Sequence, residues 1–173
     1  MQFIQCTHEQ HASAILDIFN DAIMNSTALY DYQPRKIESM VEWFKVKQKN
    51  NFPVIGAVDE DGHLLGFASY GAFRPHPAYK YTVEHSVYIN QLYRGRGLGR
   101  ILLEKLIIAA TEQQYHTMIG AIDIQNQGSI ILHERLGFSH SGTIKHAAFK
   151  FGHWLDLGFY QLILPTPLNP VDG

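Results

Sequence analysis

The sequence predicts an α/β fold, a single domain in which a mixed β-sheet is covered by helices on both faces. Apolar residues alternate in some segments, as in strands, and recur every three or four residues in others, as in helices. These segments follow one another in the order β-α-α-β-β-β-α-β-α-β-β, without an internal repeat or a linker. With 173 residues, of which 46% are hydrophobic and 17% charged, the chain is large enough to bury a core.

The chain begins with a strand and two helices. Residues 2–6 alternate weakly and predict the strand. Thr7 and Gln10 have the spacing of a capping box, which begins a helix whose apolar stripe ends at Ile23. Pro34 favours the start of the second helix. Four apolar residues of that helix are expected to face inward: Ile37, Met40, Val41 and Phe44.

A hairpin and a longer mixed series follow. Asp59–Gly62 is a turn sequence between two apolar runs and therefore predicts the hairpin. In chain order, these predicted elements are strands 54–58, 64–70 and 81–90, helix 97–114, strand 118–124, helix 127–136 and a strand-rich region up to residue 164. We assign residues 1–164 to the domain and 165–173 to a tail, which three prolines keep out of a strand and which we expect to fray.

Charge and composition restrict the function. Lys and Arg total 14 against 16 Asp and Glu, so we predict neither nucleic acid nor membrane as a partner. We expect no signal peptide, and no apolar run is long enough to span a membrane. Cys6 is the only cysteine, which excludes an internal disulfide and suits the cytoplasm. The histidine spacings match no metal-site pattern, so we expect no metal.

The most informative stretch is a turn rich in glycine and arginine between a predicted strand and a predicted helix. Such a turn exposes backbone N–H groups at the positive end of the helix dipole and thereby favours phosphate. Its glycines would allow a diphosphate to approach the backbone, and its arginines add positive charge. The residues are Arg94, Gly95, Arg96, Gly97, Leu98, Gly99 and Arg100.

Three phosphate-binding patterns can use this design. The nucleoside-triphosphate loop needs a Lys-Ser/Thr pair that is missing, and the dinucleotide fingerprint needs a glycine where Arg100 stands. The third pattern, Arg/Gln-x-x-Gly-x-Gly/Ala, is met by Arg94, Gly97 and Gly99. Through this motif the sequence resembles the GCN5-related N-acetyltransferase (GNAT) superfamily, which implies a mixed, mostly antiparallel central sheet.

The resemblance extends over nearly the whole chain. Asn126-x-x-Ser129-x-x-x-His133 is similar to the second cofactor segment of the superfamily. Segments 20–31, 70–74, 81–88 and 150–156 resemble phosphinothricin and methionine sulfoximine/sulfone N-acetyltransferases. Tyr30-Asp31 departs from the Phe-Glu usual in these relatives, in the segment that the resemblance assigns to the substrate.

The resemblance implies that acetyl-CoA is the co-substrate and that the protein is a homodimer. The strand before the glycine loop would bind pantetheine through its backbone, and the loop would bind the diphosphate. Asn126 would hydrogen-bond nearer the thioester, cap the following helix, or do both. The implied cofactor residues are Val87, Tyr88, Ile89, Arg94, Gly95, Arg96, Gly97, Leu98, Gly99, Arg100 and Asn126.

Two residues are candidates for proton transfer, since an amine near pH 7 must lose a proton before it can attack. Glu84 is the candidate base, and alternation turns it away from its neighbour His85. By the resemblance, His133 would donate a proton to the departing thiolate. The structural alternatives are an ion pair for Glu84 and a surface position for His133. His85, which alternation turns towards the core or a helix, is the second candidate base.

Substrate recognition would require a cation if the acceptor is an amino acid. Arg74 is the candidate because its planar guanidinium can bind a carboxylate through two hydrogen bonds. The substrate pocket would be lined by Phe73, Tyr30 and Thr27. Aromatic residues such as Phe73 and Tyr30 also occur commonly in hydrophobic cores.

We therefore predict an acetyl-CoA-dependent enzyme that acetylates the amino group of a small amino-acid-like substrate, of the phosphinothricin or methionine sulfone/sulfoximine type. A protein or peptide N-acetyltransferase and a non-catalytic acyl-CoA sensor are the alternatives. The presence of both candidate proton-transfer residues, Glu84 and His133, argues against a non-catalytic sensor.

Overall fold

The computed structural model describes residues 1–172. Within this range the helices and strands closely follow the predicted order. They are β1 (Gln2–Gln5), α1 (His8–Asn25), α2 (Glu38–Lys49), β2 (Val54–Val58), β3 (Leu64–Ala72), β4 (Thr82–Ile89), α3 (Leu98–Glu112), β5 (Thr117–Asp123), α4 (Gln127–Arg135), β6 (Ser139–Lys150) and β7 (His153–Ile163).

The strands form one seven-stranded sheet in the order β1-β2-β3-β4-β5-β7-β6. β4 and β5 are parallel, whereas the β1–β2, β2–β3, β5–β7 and β6–β7 pairs are antiparallel. This confirms the predicted α/β class and the mixed sheet. The parallel β4–β5 ladder is short: it runs from Thr82 opposite Thr117 to Glu84 opposite Ile119.

The chain is organised as two compact units, each built from two chain segments. Residues 1–69 and 86–106 form the first unit, and residues 70–85 together with those from 107 onward form the second. In the first unit, α1 begins as predicted, because the Thr7 side chain accepts a hydrogen bond from the Gln10 backbone N–H. Its apolar face joins α2 and the strands in a core of Cys6, Ala12, Ile15, Ile18, Phe19, Met40, Phe44, Val54, Val58, Leu64 and Phe67.

Helix α2 begins at Glu38, four residues after the predicted start at Pro34. The side chain of Asn20 explains the delay. It accepts a hydrogen bond from the Arg35 backbone N–H at 2.7 Å and donates one to the Arg35 carbonyl at 3.1 Å. These bonds hold Arg35 outside the helix. The predicted inward face was also too wide, because Met40 and Phe44 are buried whereas Ile37 and Val41 are exposed.

The second unit is built on the antiparallel strands β5, β7 and β6. β5 pairs along its whole length with β7, from Thr117 opposite Ile163 to Asp123 opposite Leu157. Residues 165–172 lie outside the strands as predicted, and Gly173 of the predicted tail lies outside the described residues. The Tyr81 hydroxyl hydrogen-bonds both the backbone N–H and the carbonyl of Val171, at 3.1 and 3.3 Å.

Candidate active site

The glycine loop is a turn between β4 and α3, as the sequence predicts. Gly95 and Gly97 adopt φ angles of 76° and 79°, which side chains rarely permit, and α3 begins directly afterwards at Leu98. A Cβ atom built at either glycine meets no atom within 4 Å. Glycine is therefore required here by backbone conformation, and the space in front of the loop is open.

The loop arginines hold the turn in shape in this structure. Arg94 donates to the Ile89 carbonyl at 3.1 Å and forms an ion pair with Asp21 of α1 at 2.8 Å. Arg96 donates to the Leu92 carbonyl at 3.3 Å. Arg100 pairs with a glutamate one turn along α3. All three guanidinium groups remain at the protein surface and could reach an anion after a change of rotamer.

Aromatic side chains pack against one side of the end of β4. Tyr88 contacts the rings of Phe19 and Phe67, with centroids 5.2 and 5.5 Å apart. Its carbonyl lies so close to β3 that a Cβ atom at Gly66 would be 2.8 Å away. The backbone of the predicted pantetheine segment, residues 87–89, is thus fixed by packing in the first unit.

Asn126 is the N-cap of α4. Its side-chain oxygen accepts a hydrogen bond from the Ser129 backbone N–H at 3.1 Å. The capping interpretation is therefore confirmed. A bond from Asn126 to the cofactor stays a prediction.

Glu84 and Arg74 both lie in the second unit, where the charge of Arg74 acts on the Glu84 carboxyl. Burial raises the pKa of the Glu84 carboxyl above its ordinary value, and the positive charge of Arg74 partly offsets that increase. The Arg74 guanidinium stacks on the ring of Phe73 at 4.2 Å and donates to the Phe73 carbonyl at 2.8 Å. The arrangement places a cation and a partly desolvated carboxylate in one region.

His133 is buried, not on the helix surface. Its Nδ1 atom lies 2.6 Å from the Ser129 carbonyl, and its Nε2 atom lies 3.1 Å from Nε2 of His85. Burial lowers the pKa of His133 and, more strongly, that of His85, where the neighbouring His133 adds to the effect. His85 faces the core and α4, as alternation predicted. The pairing of the two rings was missed, because no local pattern links residues 48 positions apart.

The remaining predicted substrate residues lie in the segment after α1, in the first unit. Thr27 and Tyr30 are half-buried there. The neighbouring Asp31 pairs with Arg35 at 2.8 Å, and the Arg35 guanidinium lies over Phe19 at 4.5 Å. Asp31, which differs from the usual Glu, thus helps to shape this segment.

A possible metal-binding group occurs on the β2–β3 turn, where Asp59, Asp61 and His63 come within 4.8 Å of one another. Hydrogen bonds of the turn account for this geometry, because the Asp59 carboxylate accepts the backbone N–H groups of the other two residues. Among residues 1–172, no helix is both long and apolar enough to cross a membrane.

Comparison with known proteins agrees with this geometry. Residues 15–138 match the model of the acetyltransferase (GNAT) family. The chain belongs to the GNAT acetyltransferase family. This GNAT protein is 45% identical over 157 residues to an L-methionine sulfoximine/L-methionine sulfone acetyltransferase of Pseudomonas paraeruginosa, an alignment that covers 90% of this chain and 91% of the relative.

Two solved structures resemble this GNAT protein over most of its length. A candidate acetyltransferase from Acinetobacter baylyi ADP1 has a TM-score of 0.98 and 62% identity, covering 99% of this chain and 96% of that chain. A phosphinothricin acetyltransferase from Sinorhizobium meliloti in complex with acetyl-CoA has a TM-score of 0.91 and 33% identity, covering 94% and 88%. The predicted family, fold and enzyme class are confirmed.

Proposed function

We propose that this GNAT enzyme transfers the acetyl group of acetyl-CoA to the amino group of a small amino acid of the methionine sulfone, sulfoximine or phosphinothricin type. The observation that carries the proposal is the electrostatic interaction between Arg74 and Glu84, two groups of opposite charge. An amino acid presents two charges of the complementary signs. Two similar proteins are named for acetylation of such amino acids, and this supports the proposed class of acceptor.

The donor side of the proposal rests on the glycine loop. The positive φ angles of Gly95 and Gly97 and the open space beside them suit a loop that receives a diphosphate on its backbone N–H groups. We assign Val87, Tyr88 and Ile89 to pantetheine and residues 94–100 to the diphosphate, with Asn126 nearer the thioester. When bound, acetyl-CoA would supply the activated acyl group.

The acceptor side rests on Glu84 and Arg74. A carboxylate whose pKa is raised by burial is a stronger base than an exposed one. Glu84 would accept the proton of the substrate ammonium, directly or through water. Arg74 would bind the substrate carboxylate, and Phe73, Tyr30 and Thr27 would contact the rest of the acceptor.

His133 is the proposed source of the proton for the CoA thiolate. Both of its ring nitrogens already have partners, Ser129 and His85, so donation requires one of these hydrogen bonds to be exchanged. Burial lowers the pKa of His133 and so favours its neutral form. Because a thiolate is a good leaving group, we assign His133 a smaller share of catalysis than Glu84.

We also propose that the protein is a cytoplasmic homodimer. β6 lies at one edge of the sheet, and large apolar side chains at the β6–β7 hairpin are about half exposed: Ile144, Phe149, Phe151 and Trp154. An apolar patch of this kind suits a second copy of the chain. Sedimentation of the wild type and of Trp154→Glu tests this, since the variant should be monomeric. A wild-type monomer would contradict it.

The experiment that tests the proposed function is release of free thiol from acetyl-CoA across a panel of acceptors. L-Methionine sulfone, L-methionine sulfoximine and phosphinothricin should release thiol at many times the background rate. Peptides with free N-termini or lysines should not. Activity on peptides alone would favour the protein-acetylating alternative, and binding of acetyl-CoA without any turnover would favour the sensor.

A further inference from the structure

The buried contact between His85 and His133 has a hydrogen-bond pattern that the proposed chemistry does not use. The two rings are nearly parallel, with an interplanar angle of 16° and centroids 4.9 Å apart. The ring of Phe138 packs edge-on against both, at 5.5 and 5.0 Å. The exposed fractions of the two histidines are only 8% and 4%. The two imidazole rings are therefore shielded from solvent. In such surroundings an unpaired polar atom or a repulsion between two N–H groups destabilises the folded protein.

The partners of His133 determine where the protons lie. A carbonyl only accepts hydrogen bonds, so the 2.6 Å contact with Ser129 requires a proton on Nδ1 of His133. In a neutral ring, Nε2 of His133 is then an acceptor. The 3.1 Å contact consequently requires His85 to carry its proton on Nε2 and to donate it. The remaining atom, His85 Nδ1, is buried and has no hydrogen-bond partner among the described residues.

The pair lies where β4 separates from β5. The β4–β5 ladder ends with Glu84 opposite Ile119, so His85 and Gly120 are the next residues of the two strands. A Cβ atom on Gly120 would be 2.9 Å from Nε2 of His85 and 3.1 Å from Nε2 of His133. Both distances are too short for an unshifted contact. Gly120 therefore provides the space in which the two imidazoles meet.

We propose that His85 is a positioning residue for acetyl transfer: its Nε2–H donates to Nε2 of His133, and this pair, packed against Gly120, fixes both the orientation of the His133 ring and the place of Glu84 at the end of the ladder. His85 acts through its neighbours and does not touch the substrate. The inference deepens the proposed function and rests on it for its kinetic consequences. The tautomers themselves follow from the hydrogen bonds alone.

The first test is a long-range ¹H–¹⁵N NMR spectrum of the imidazole rings in the full-length protein at pH 7. We expect His133 to be the Nδ1–H tautomer and His85 the Nε2–H tautomer. His85→Phe keeps a planar ring but has no donor, so His133 should keep its proton on Nδ1 opposite the Ser129 carbonyl, while the ¹⁵N signal of its Nε2 should lose the shift that a hydrogen bond from His85 causes. The opposite tautomers, or a doubly protonated ring in either residue, would overturn the proposal without bearing on the acetyl acceptor.

The second test compares two variants of His85. Gln can place its amide N–H near the position of Nε2, whereas Phe cannot donate, so His85→Gln should keep kcat within about threefold of wild type. His85→Phe should lose at least about tenfold in kcat with an unchanged KM for acetyl-CoA, because Glu84 and His133 shift. A purely structural role would instead lower the melting temperature and kcat together in both variants.

Gly120→Ala provides the third test, with Gly128→Ala as its matched control. An added Cβ at Gly128 finds its nearest neighbour 3.9 Å away, which is an ordinary contact. We expect at least a tenfold loss of kcat for Gly120→Ala, on the order seen for small misplacements of catalytic groups, and wild-type kcat for the control. Wild-type activity of both His85→Phe and Gly120→Ala would overturn the proposal. A wild-type protein that acetylates no amino acid would refute only the proposed function, because the NMR result would still stand.

Discussion

The charge of Arg74 lowers the pKa of the Glu84 carboxyl against the increase that burial causes. No ion pair or hydrogen bond joins these two described side chains. The hydrogen bond found for the Arg74 guanidinium goes to the Phe73 carbonyl instead. Both groups thus keep hydrogen-bonding capacity for a substrate. A zwitterionic amino acid would provide an ammonium for Glu84 and a carboxylate for Arg74.

Replacing Glu84 with Gln should remove the base and retain the shape of the side chain. We expect kcat to fall on the order of 10²–10⁴, with acetyl-CoA affinity unchanged. Because burial raises the pKa of Glu84, the acidic limb of the wild-type rate profile should lie above the pH of an ordinary glutamate. In Glu84→Gln the limb should move to still higher pH, where the free amine itself becomes available.

Glu60 on the exposed β2–β3 turn is the control, and Glu60→Gln should behave as wild type. If Glu84→Gln kept a normal kcat and pH profile, the base would have to be another residue.

His133→Ala should cause a smaller loss of kcat than Glu84→Gln. The variant leaves the attacking amine untouched and slows only protonation of a thiolate, which can depart partly unaided. Steady-state rates for both variants, with CoA binding measured in parallel, make the comparison. A greater loss for His133→Ala would make His133 the principal proton-transfer residue and contradict the assignment to Glu84.

Arg74→Ala should raise KM for amino acids much more than KM for amines without a carboxylate. Loss of a charged hydrogen bond costs about 1.5–3 kcal/mol, which corresponds to roughly a 10- to 150-fold change. Arg135→Ala, which removes an exposed arginine at the end of α4, is the matched control. Equal increases of KM for both kinds of amine would assign Arg74 a structural role.

Gly97→Leu should abolish the response to acetyl-CoA. In the wild type, acetyl-CoA at a hundredfold excess over Kd should add about 2.7 kcal/mol to the free energy of unfolding, whereas NAD and ATP should add nothing. Gly62 on the β2–β3 turn has a φ angle of 84°, close to the 79° of Gly97, and has equally open surroundings. Gly62→Leu should therefore suffer similar backbone strain but keep the acetyl-CoA response. A similar response in both variants would remove the loop from the cofactor site.

The sequence was sufficient to predict what depends on local periodicity and local turn chemistry. The strand, loop and helix around Gly97 were predicted correctly, because apolar periodicity and turn glycines report such elements within a few residues. The alternation of β4 correctly turned His85 towards the core and Glu84 away from it.

Features that depend on distant partners were not predictable. Helix α2 starts late because Asn20, fifteen residues earlier, binds the backbone of Arg35. The His85–His133 contact joins a strand to a helix 48 residues away and requires the missing side chain of Gly120. No periodic pattern reports such pairs, so burial of His133 became visible only in the structure.

The most direct test of the central claim is a competition between two acceptors in one reaction. Equal concentrations of L-methionine sulfone and a short peptide with a free N-terminus share a limiting amount of acetyl-CoA, and mass spectrometry measures the two acetylated products. Their ratio equals the ratio of the two kcat/KM values. The account predicts N-acetyl-methionine sulfone in at least roughly 100-fold excess, about 2.7 kcal/mol of discrimination. A product mixture dominated by the acetylated peptide would contradict it.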